Sequence, residues 1–165
     1  MSQTSKDSII TGEMRACIGL ESTPVTYELS KWDLARFACA VGDTNPLYSN
    51  EEAARESAFG GLIAPPTFLR ALLPGPAKKP FPEPFAHILD AGSSYRFYYP
   101  VRAGDRITVT SRLKDLFVKT GKLGPMLFKV REIKYENQLG QVAAVQETTT
   151  ITYGEGEPDE GISEF

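Results

Sequence analysis

An α+β chain, with one antiparallel sheet wrapped around a central helix, is what three features of this sequence predict. Helical spacing and helix caps are confined to the stretch between Ser30 and Leu73. A proline block, Pro74, Pro76, Pro80, Pro82 and Pro84, ends that half, because proline cannot continue a helix. From Ser94 to Tyr153 the chain then alternates side chains in runs about ten residues long, with no helix between them. Helices followed by a block of long strands point to a single antiparallel sheet that covers one apolar helix.

Taken in order, Val25-Thr26-Tyr27-Glu28-Leu29 follows Pro24 and reads as a short strand. Ser30 is an N-cap, with Asp33 three residues on to complete a capping box. Leu34, Phe37, Ala38 and Val41 recur with helical period, so a helix is expected over Lys31–Val41, stopped by Gly42. Asn50 caps a second helix, Glu51–Ser57, with acids in its first turn. Pro66 opens an apolar run to Leu73 that reads as a helix with proline at its first position, the best candidate for the central element. Four strands follow. One carries Tyr95, Phe97 and Tyr99, the second is Arg106–Leu113, and the last two, Met126–Tyr135 and Gln141–Tyr153, are joined by a turn at Asn137-Gln138-Leu139-Gly140.

Composition narrows the function. The 165 residues suit one domain, and 41% hydrophobic with 24% charged residues is the balance of a soluble globular chain. No run reaches the ~18 apolar residues of a membrane span, and the first residues lack a signal pattern, so a cytoplasmic location is expected. The net charge of −3 is uneven: Glu155, Glu157, Asp159, Glu160 and Glu164 lie in the last twelve residues with no base among them. Residues 1–153 therefore sum to +2, which leaves no footprint for nucleic acid. The expected organisation is a flexible arm at 1–10, one domain at 11–153 and an acidic disordered tail at 154–165. Cys17 and Cys39 with a single histidine, His87, cannot make a usual zinc set, and no nucleotide fingerprint is present, so no metal or redox cofactor is expected.

Two segments carry the chemistry. Asp43-Thr44-Asn45-Pro46-Leu47-Tyr48 follows a helix end, and Phe59-Gly60-Gly61-Leu62-Ile63-Ala64-Pro65-Pro66-Thr67 follows soon after. Taken alone, the first fits a plain turn. Gly60-Gly61 also fits a turn, and it lacks the Gly-Lys-Ser/Thr continuation of a P-loop. Together, and with Tyr99-Pro100-Val101-Arg102-Ala103-Gly104-Asp105, Tyr135-Glu136-Asn137-Gln138 and a threonine-rich last strand in the same order, they resemble the MaoC-like (R-specific) enoyl-CoA hydratases and hydroxyacyl dehydratases, which have the hot-dog fold. The resemblance covers most of residues 19–153.

That resemblance implies water addition to, or removal from, an acyl thioester carried by coenzyme A or acyl carrier protein. In the family an Asp and a His share one water, and a glycine N–H at the start of the central helix polarises the thioester carbonyl. Asp43 stands at the Asp position, with Asn45 in the loop that aims it. Tyr48 stands at the His position, and Pro66, which has no N–H, stands at the glycine position. A phenol with an ordinary pKa near 10 is a poor base at neutral pH but a competent hydrogen-bond donor. The pairing of Asn-Pro-Leu-Tyr with Ala-Pro-Pro-Thr-Phe resembles a branch whose chains serve as the partner half of a two-chain hydratase, shaping the acyl tunnel.

The expected catalytic positions are thus Asp43 and Tyr48, and the expected substrate-binding positions are Asn45, Phe59, Gly60, Gly61, Ile63 and Thr67. The expected partner is a second hot-dog chain, in a homodimer or heterodimer. A self-sufficient hydratase using Asp43 as base and Tyr48 as acid is the alternative, and an acyl-binding module a third reading. A hot-dog thioesterase is disfavoured, because Pro66–Leu73 contains no acid. Arg96, Arg102, Arg106 and Arg112 either meet coenzyme A phosphates or pair across strands with Glu132 or Glu147.

Overall fold

A capping box starts the helix that positions the candidate site, as the sequence requires. In the computed structural model, which describes residues 9–122 and 124–154, the Ser30 side chain accepts from the Asp33 N–H, and the Asp33 carboxylate accepts from the Ser30 N–H at 3.0 Å. Before it come a short helix, α1 (Gly12–Ala16), and the first strand, β1 (Val25–Glu28). The capped helix is α2 (Lys31–Ala40), and α3 (Glu51–Glu56) follows with Asn50 as its cap. Four long strands complete the chain: β2 (His87–Phe97), β3 (Arg106–Gly121), β4 (Gly124–Glu136) and β5 (Val142–Tyr153). They form one five-stranded antiparallel sheet in the order β1-β3-β4-β5-β2.

The central element differs from expectation. In place of a helix over Pro66–Leu73, the chain makes a six-residue 3-10 helix, Pro66–Ala71. Pro65 at its cap offers no side-chain hydrogen bond, and Pro74 closes the far side, so there is no room for a capped α-helix. Short as it is, it does the central helix's job at one end of the sheet. Phe68, Leu69 and Leu72 are buried there against Ile107, Val109, Ile133 and Tyr135, with Leu34 of α2 completely enclosed. A second apolar cluster lies further along, where Met14 and Cys17 meet Leu113, Leu116 and Leu127.

Two strands, β2 and β3, are longer than the alternation alone indicates, while β1, β4 and β5 lie within two residues of their expected bounds. β3 runs to Gly121 and not to Leu113, because a bulge between Leu113 and Asp115 breaks the period while pairing with β4 continues. β2 starts at His87, and a second bulge between Asp90 and Ser93 hides its first half in the same way. Tyr98 and Tyr99 lie past its end. The β4–β5 turn forms as predicted, with the Asn137 side chain accepting from the Leu139 and Gln141 N–H groups. Both cysteines are free thiols, Cys17 buried and Cys39 exposed. The expectations for residues 1–8 and 155–165 lie outside the described residues. Among the described residues no helix is long and apolar enough to cross a membrane, and no cluster of metal-ligating side chains occurs.

Candidate functional site

The loop after α2 is a chain of local hydrogen bonds that leaves its carboxylate in the open. Gly42, at φ 70°, turns the backbone so that the Asp43 N–H reaches back to the Ala38 carbonyl at 2.8 Å. The Asp43 carboxylate accepts from the Asn45 N–H at 3.1 Å, and the Asn45 side chain accepts from the Leu47 N–H at 3.1 Å. These two turns aim Asn45-Pro46 into a 3-10 turn, Pro46–Tyr48. Asp43 and Asn45 are exposed, while Tyr48 is buried. Burial raises the Tyr48 phenol above its ordinary value, and the nearby Asp43 charge raises it further. Tyr48 is thus a neutral phenol at physiological pH, able to donate a hydrogen bond but not to act as a base.

The glycine-rich segment docks beside this loop. The Ile63 N–H donates to the Leu47 carbonyl at 3.1 Å, and the Ala64 N–H to the Val101 carbonyl at 2.8 Å. The Arg102 guanidinium holds the Phe59 carbonyl. Gly60, at φ 69°, makes the turn that brings Phe59 over Arg102. Phe59 and Ile63 then join Leu69, Phe97, Tyr98 and Tyr99 around an apolar cavity of about 360 Å³. That size is within the range of small-molecule sites. The donor expected at the start of the central element is absent by chemistry: Pro66 is its first residue, and the next N–H belongs to exposed Thr67.

The structure therefore brings Asp43, Asn45 and Tyr48 into one turn and Phe59 and Ile63 into one cavity wall, with Gly60 and Gly61 as the link between them. Thr67 stays on the exposed side of the 3-10 helix and is not among the cavity-lining residues. His87 lies at the opposite end of β2 from Phe97, where its ring packs on Tyr153 at 5.4 Å. Arg112 pairs with Glu132 across strands, at 2.7 Å, and Glu147 pairs with Lys114. Among the cavity-wall residues that sequence reasoning missed as binding positions are Phe97, Tyr98 and Tyr99. Their signal was three consecutive aromatics, Phe97-Tyr98-Tyr99, which a strand with one buried face does not need.

Comparison with known proteins decides the family. A family model described as "FAS1-like, dehydratase domain region" matches residues 16–146. The chain belongs to that family. Its fold is the MaoC-like hot-dog fold. It is similar over 94% of its length to a chain in the ChsH1–ChsH2 complex of Mycobacterium tuberculosis, with a TM-score of 0.78 at 16% identity and 99% of that chain covered. A MaoC-like dehydratase from Rhodospirillum rubrum aligns with a TM-score of 0.63 at 24% identity, covering 83% of this chain and 91% of that one. A chain of the HadBC (3R-hydroxyacyl-ACP dehydratase) complex of Mycobacterium tuberculosis aligns with a TM-score of 0.65 at 21% identity, covering 82% and 96%. At these identities the likeness is one of fold. By sequence, a UPF0336 protein of Streptomyces avermitilis is 36% identical over 95 residues, which span 54% of this chain and 63% of that protein. A probable enoyl-CoA hydratase alpha subunit of Thermomonospora curvata is 29% identical over 125 residues, 65% of this chain and 39% of that protein. The match to these curated relatives thus spans less than two thirds of their length.

Proposed function

We propose that this chain is the substrate-shaping half of an acyl-thioester hydratase or dehydratase, and that a second hot-dog chain supplies the catalytic Asp/His pair and the oxyanion donor. The observation that carries the proposal is the pairing of Pro66 with Tyr48. Hydration needs a base to take a proton from water, and a donor aimed at the carbonyl oxygen where enolate charge gathers. Tyr48 is neutral and buried, so it cannot be that base. Pro66 has no N–H to be that donor. Asp43 keeps an exposed carboxylate, already accepting from Asn45, without an imidazole to share the water.

What remains is recognition. The cavity of Phe59, Ile63, Leu69, Phe97 and Tyr99 suits the apolar part of an acyl group. It opens beside β2, an eleven-residue edge strand with Leu89 and Phe97 about half exposed, as is Tyr99 just past its end. A long apolar edge of this kind calls for a partner. The relatives described as complexes and as an alpha subunit support a two-chain assembly. The substrate is an enoyl or 3-hydroxyacyl thioester of coenzyme A or acyl carrier protein.

The test is kinetic, in the assembled complex. Asp43→Asn and Tyr48→Phe in this chain are expected to leave kcat within a few-fold, while the equivalent loss in the partner abolishes turnover. A fall of two orders of magnitude from either change here would move catalysis onto this chain, through Asp43 as base and Tyr48 as acid.

A further inference from the structure

The register of the sheet places an unusual stripe across its inner face. Two neighbouring rows run Leu113–Arg131–Thr148–Ser93 and Leu116–Lys129–Thr150–Asp90 across β3, β4, β5 and β2. Six of these eight positions are polar. The next row on one side, Ser111–Ile133–Gln146–Tyr95, is mixed, whereas Val109–Tyr135–Ala144–Phe97 beyond it, and Val118–Leu127–Thr152–Ile88 on the other side, are mainly apolar. At its β3 end the stripe runs into the second hydrophobic cluster, through Leu113 and Leu116, and the 3-10 helix reaches only the first cluster. A full-length apolar helix on this face would bury Lys129 and Arg131 against hydrocarbon, at a cost that charge pairing rarely recovers.

In place of a helix, the proline-rich stretch from Leu73 to Glu83 crosses the β3–β4 end of the stripe and leaves a cavity of about 430 Å³ beneath it. The stretch is pinned there. The Thr23 N–H donates to the Pro76 carbonyl at 3.1 Å, Gly75 lies so close to Thr23 that no side chain fits, and the Cys17 thiol donates to the Lys79 carbonyl at 3.3 Å. The cavity walls are apolar at Leu20, Leu73, Phe81 and Leu113. Two of its cations have acid partners, one inside the lining and one outside it. Lys129, only 5% exposed, pairs with Glu83 at 2.6 Å, and Arg112 pairs with Glu132. Lys78 and Lys79 are exposed residues of the same lining, and among the described residues neither has an ion-pair partner.

We infer that this cavity is a second binding site, distinct from the one lined by Phe59 and Tyr99, for a carboxylate on a hydrocarbon body: the hydrocarbon lies against Leu20, Leu73, Phe81 and Leu113, and the carboxylate sits at Lys78 and Lys79. Hydrocarbon burial supplies the affinity, and the two uncompensated lysines supply the preference for an acid. The carboxylate could belong to a free fatty acid or to the far end of an acyl group held as a thioester. The site does not depend on the hydratase reading, since a free acid has no enoyl thioester to hydrate.

Titration calorimetry on the full chain tests it, with decanoate, decanol, dodecanedioyl-CoA and dodecanoyl-CoA as probes. A saturable decanoate site, with decanol about tenfold weaker or more, identifies a free-acid site. Dodecanedioyl-CoA bound about tenfold tighter than dodecanoyl-CoA, without decanoate binding, assigns the carboxylate to the thioester's far end. In either case Lys78→Ala with Lys79→Ala should remove the preference for the acid, and Leu20→Trp, at an exposed position on the wall, should block the site. Decanol binding as tightly as decanoate with no preference between the two thioesters, or an acid preference that survives loss of both lysines, would overturn the inference.

Discussion

The two edges of the sheet are finished in opposite ways. At the β1 edge the chain covers itself. β1 is only four residues long, and where it stops, residues 18–22 take over along β3. The Gly19 N–H donates to the Leu113 carbonyl at 2.8 Å, the Ser22 N–H to the Ser111 carbonyl at 2.7 Å, and the Ser111 N–H to the Ser22 hydroxyl at 3.0 Å. The side chains set outward on β1 are Thr26 and Glu28, which suit water. At the β2 edge nothing in the described chain pairs with the outer side of an eleven-residue strand. Its neighbours there are Leu89, Phe97, Tyr98 and Tyr99, each roughly half exposed. Self-coverage on one side shows that this sequence can finish an edge. On the proposed function, the bare apolar edge on the other side is the surface that the second chain covers.

The largest effect should come from charging that bare edge. Leu89→Glu with Phe97→Glu is expected to weaken association by on the order of a hundredfold, read by sedimentation, as loss of central apolar anchors does. Thr26→Lys on β1 should leave association unchanged. Equal sensitivity at both edges would end the contrast.

A smaller effect separates core from edge within one chain. Leu34→Ala, at a completely enclosed side chain of α2, should cost about 2–5 kcal/mol in denaturant unfolding. Leu89→Ala, measured at dilution where the chain is monomeric, should stay within about 0.5 kcal/mol. A large loss at Leu89 in the monomer would mean that the edge is packed in a way this fold does not provide.

The smallest concerns the cap that sets the approach to the Asp43 loop. Ser30→Ala should cost about 1 kcal/mol. Its pH dependence has a definite sign. Hydrogen bonds from the Ser30 side chain and backbone hold the Asp33 carboxyl below its ordinary value, with Arg36 assisting. The Asp33 contribution is therefore complete above the unfolded carboxylate range, near pH 4, and is lost as pH falls through the lowered folded value. Ser30→Ala should flatten that acid limb, followed by helical circular dichroism.

The elements with a local chemical signal were legible in the sequence. Ser30 with Asp33, Asn50, Gly42 and the Asn137–Gly140 turn declare themselves within a few residues, and each appears where expected. The lengths of β1, β4 and β5 were legible to within two residues, but those of β2 and β3 were not, because the bulges at Asp90/Ser93 and Leu113/Asp115 shift the face that each later side chain uses. The central element was misjudged because its apolar spacing fits a helix, whereas its length is fixed by prolines on both sides. At the site, the loop from Asp43 to Tyr48 was readable as a motif. The cavity formed by Phe59, Tyr98 and Pro100 was not, since it depends on the Arg102 anchor and on pairing between segments some forty residues apart.

The most direct measurement is turnover of an enoyl thioester such as crotonyl-CoA by the purified chain, first alone and then mixed with a hot-dog chain that has an intact Asp/His loop. A chain whose site is completed by its partner gives background rates alone and enzymatic rates in the mixture. Enzymatic turnover by the solitary chain, unchanged when the partner is added, would contradict the account.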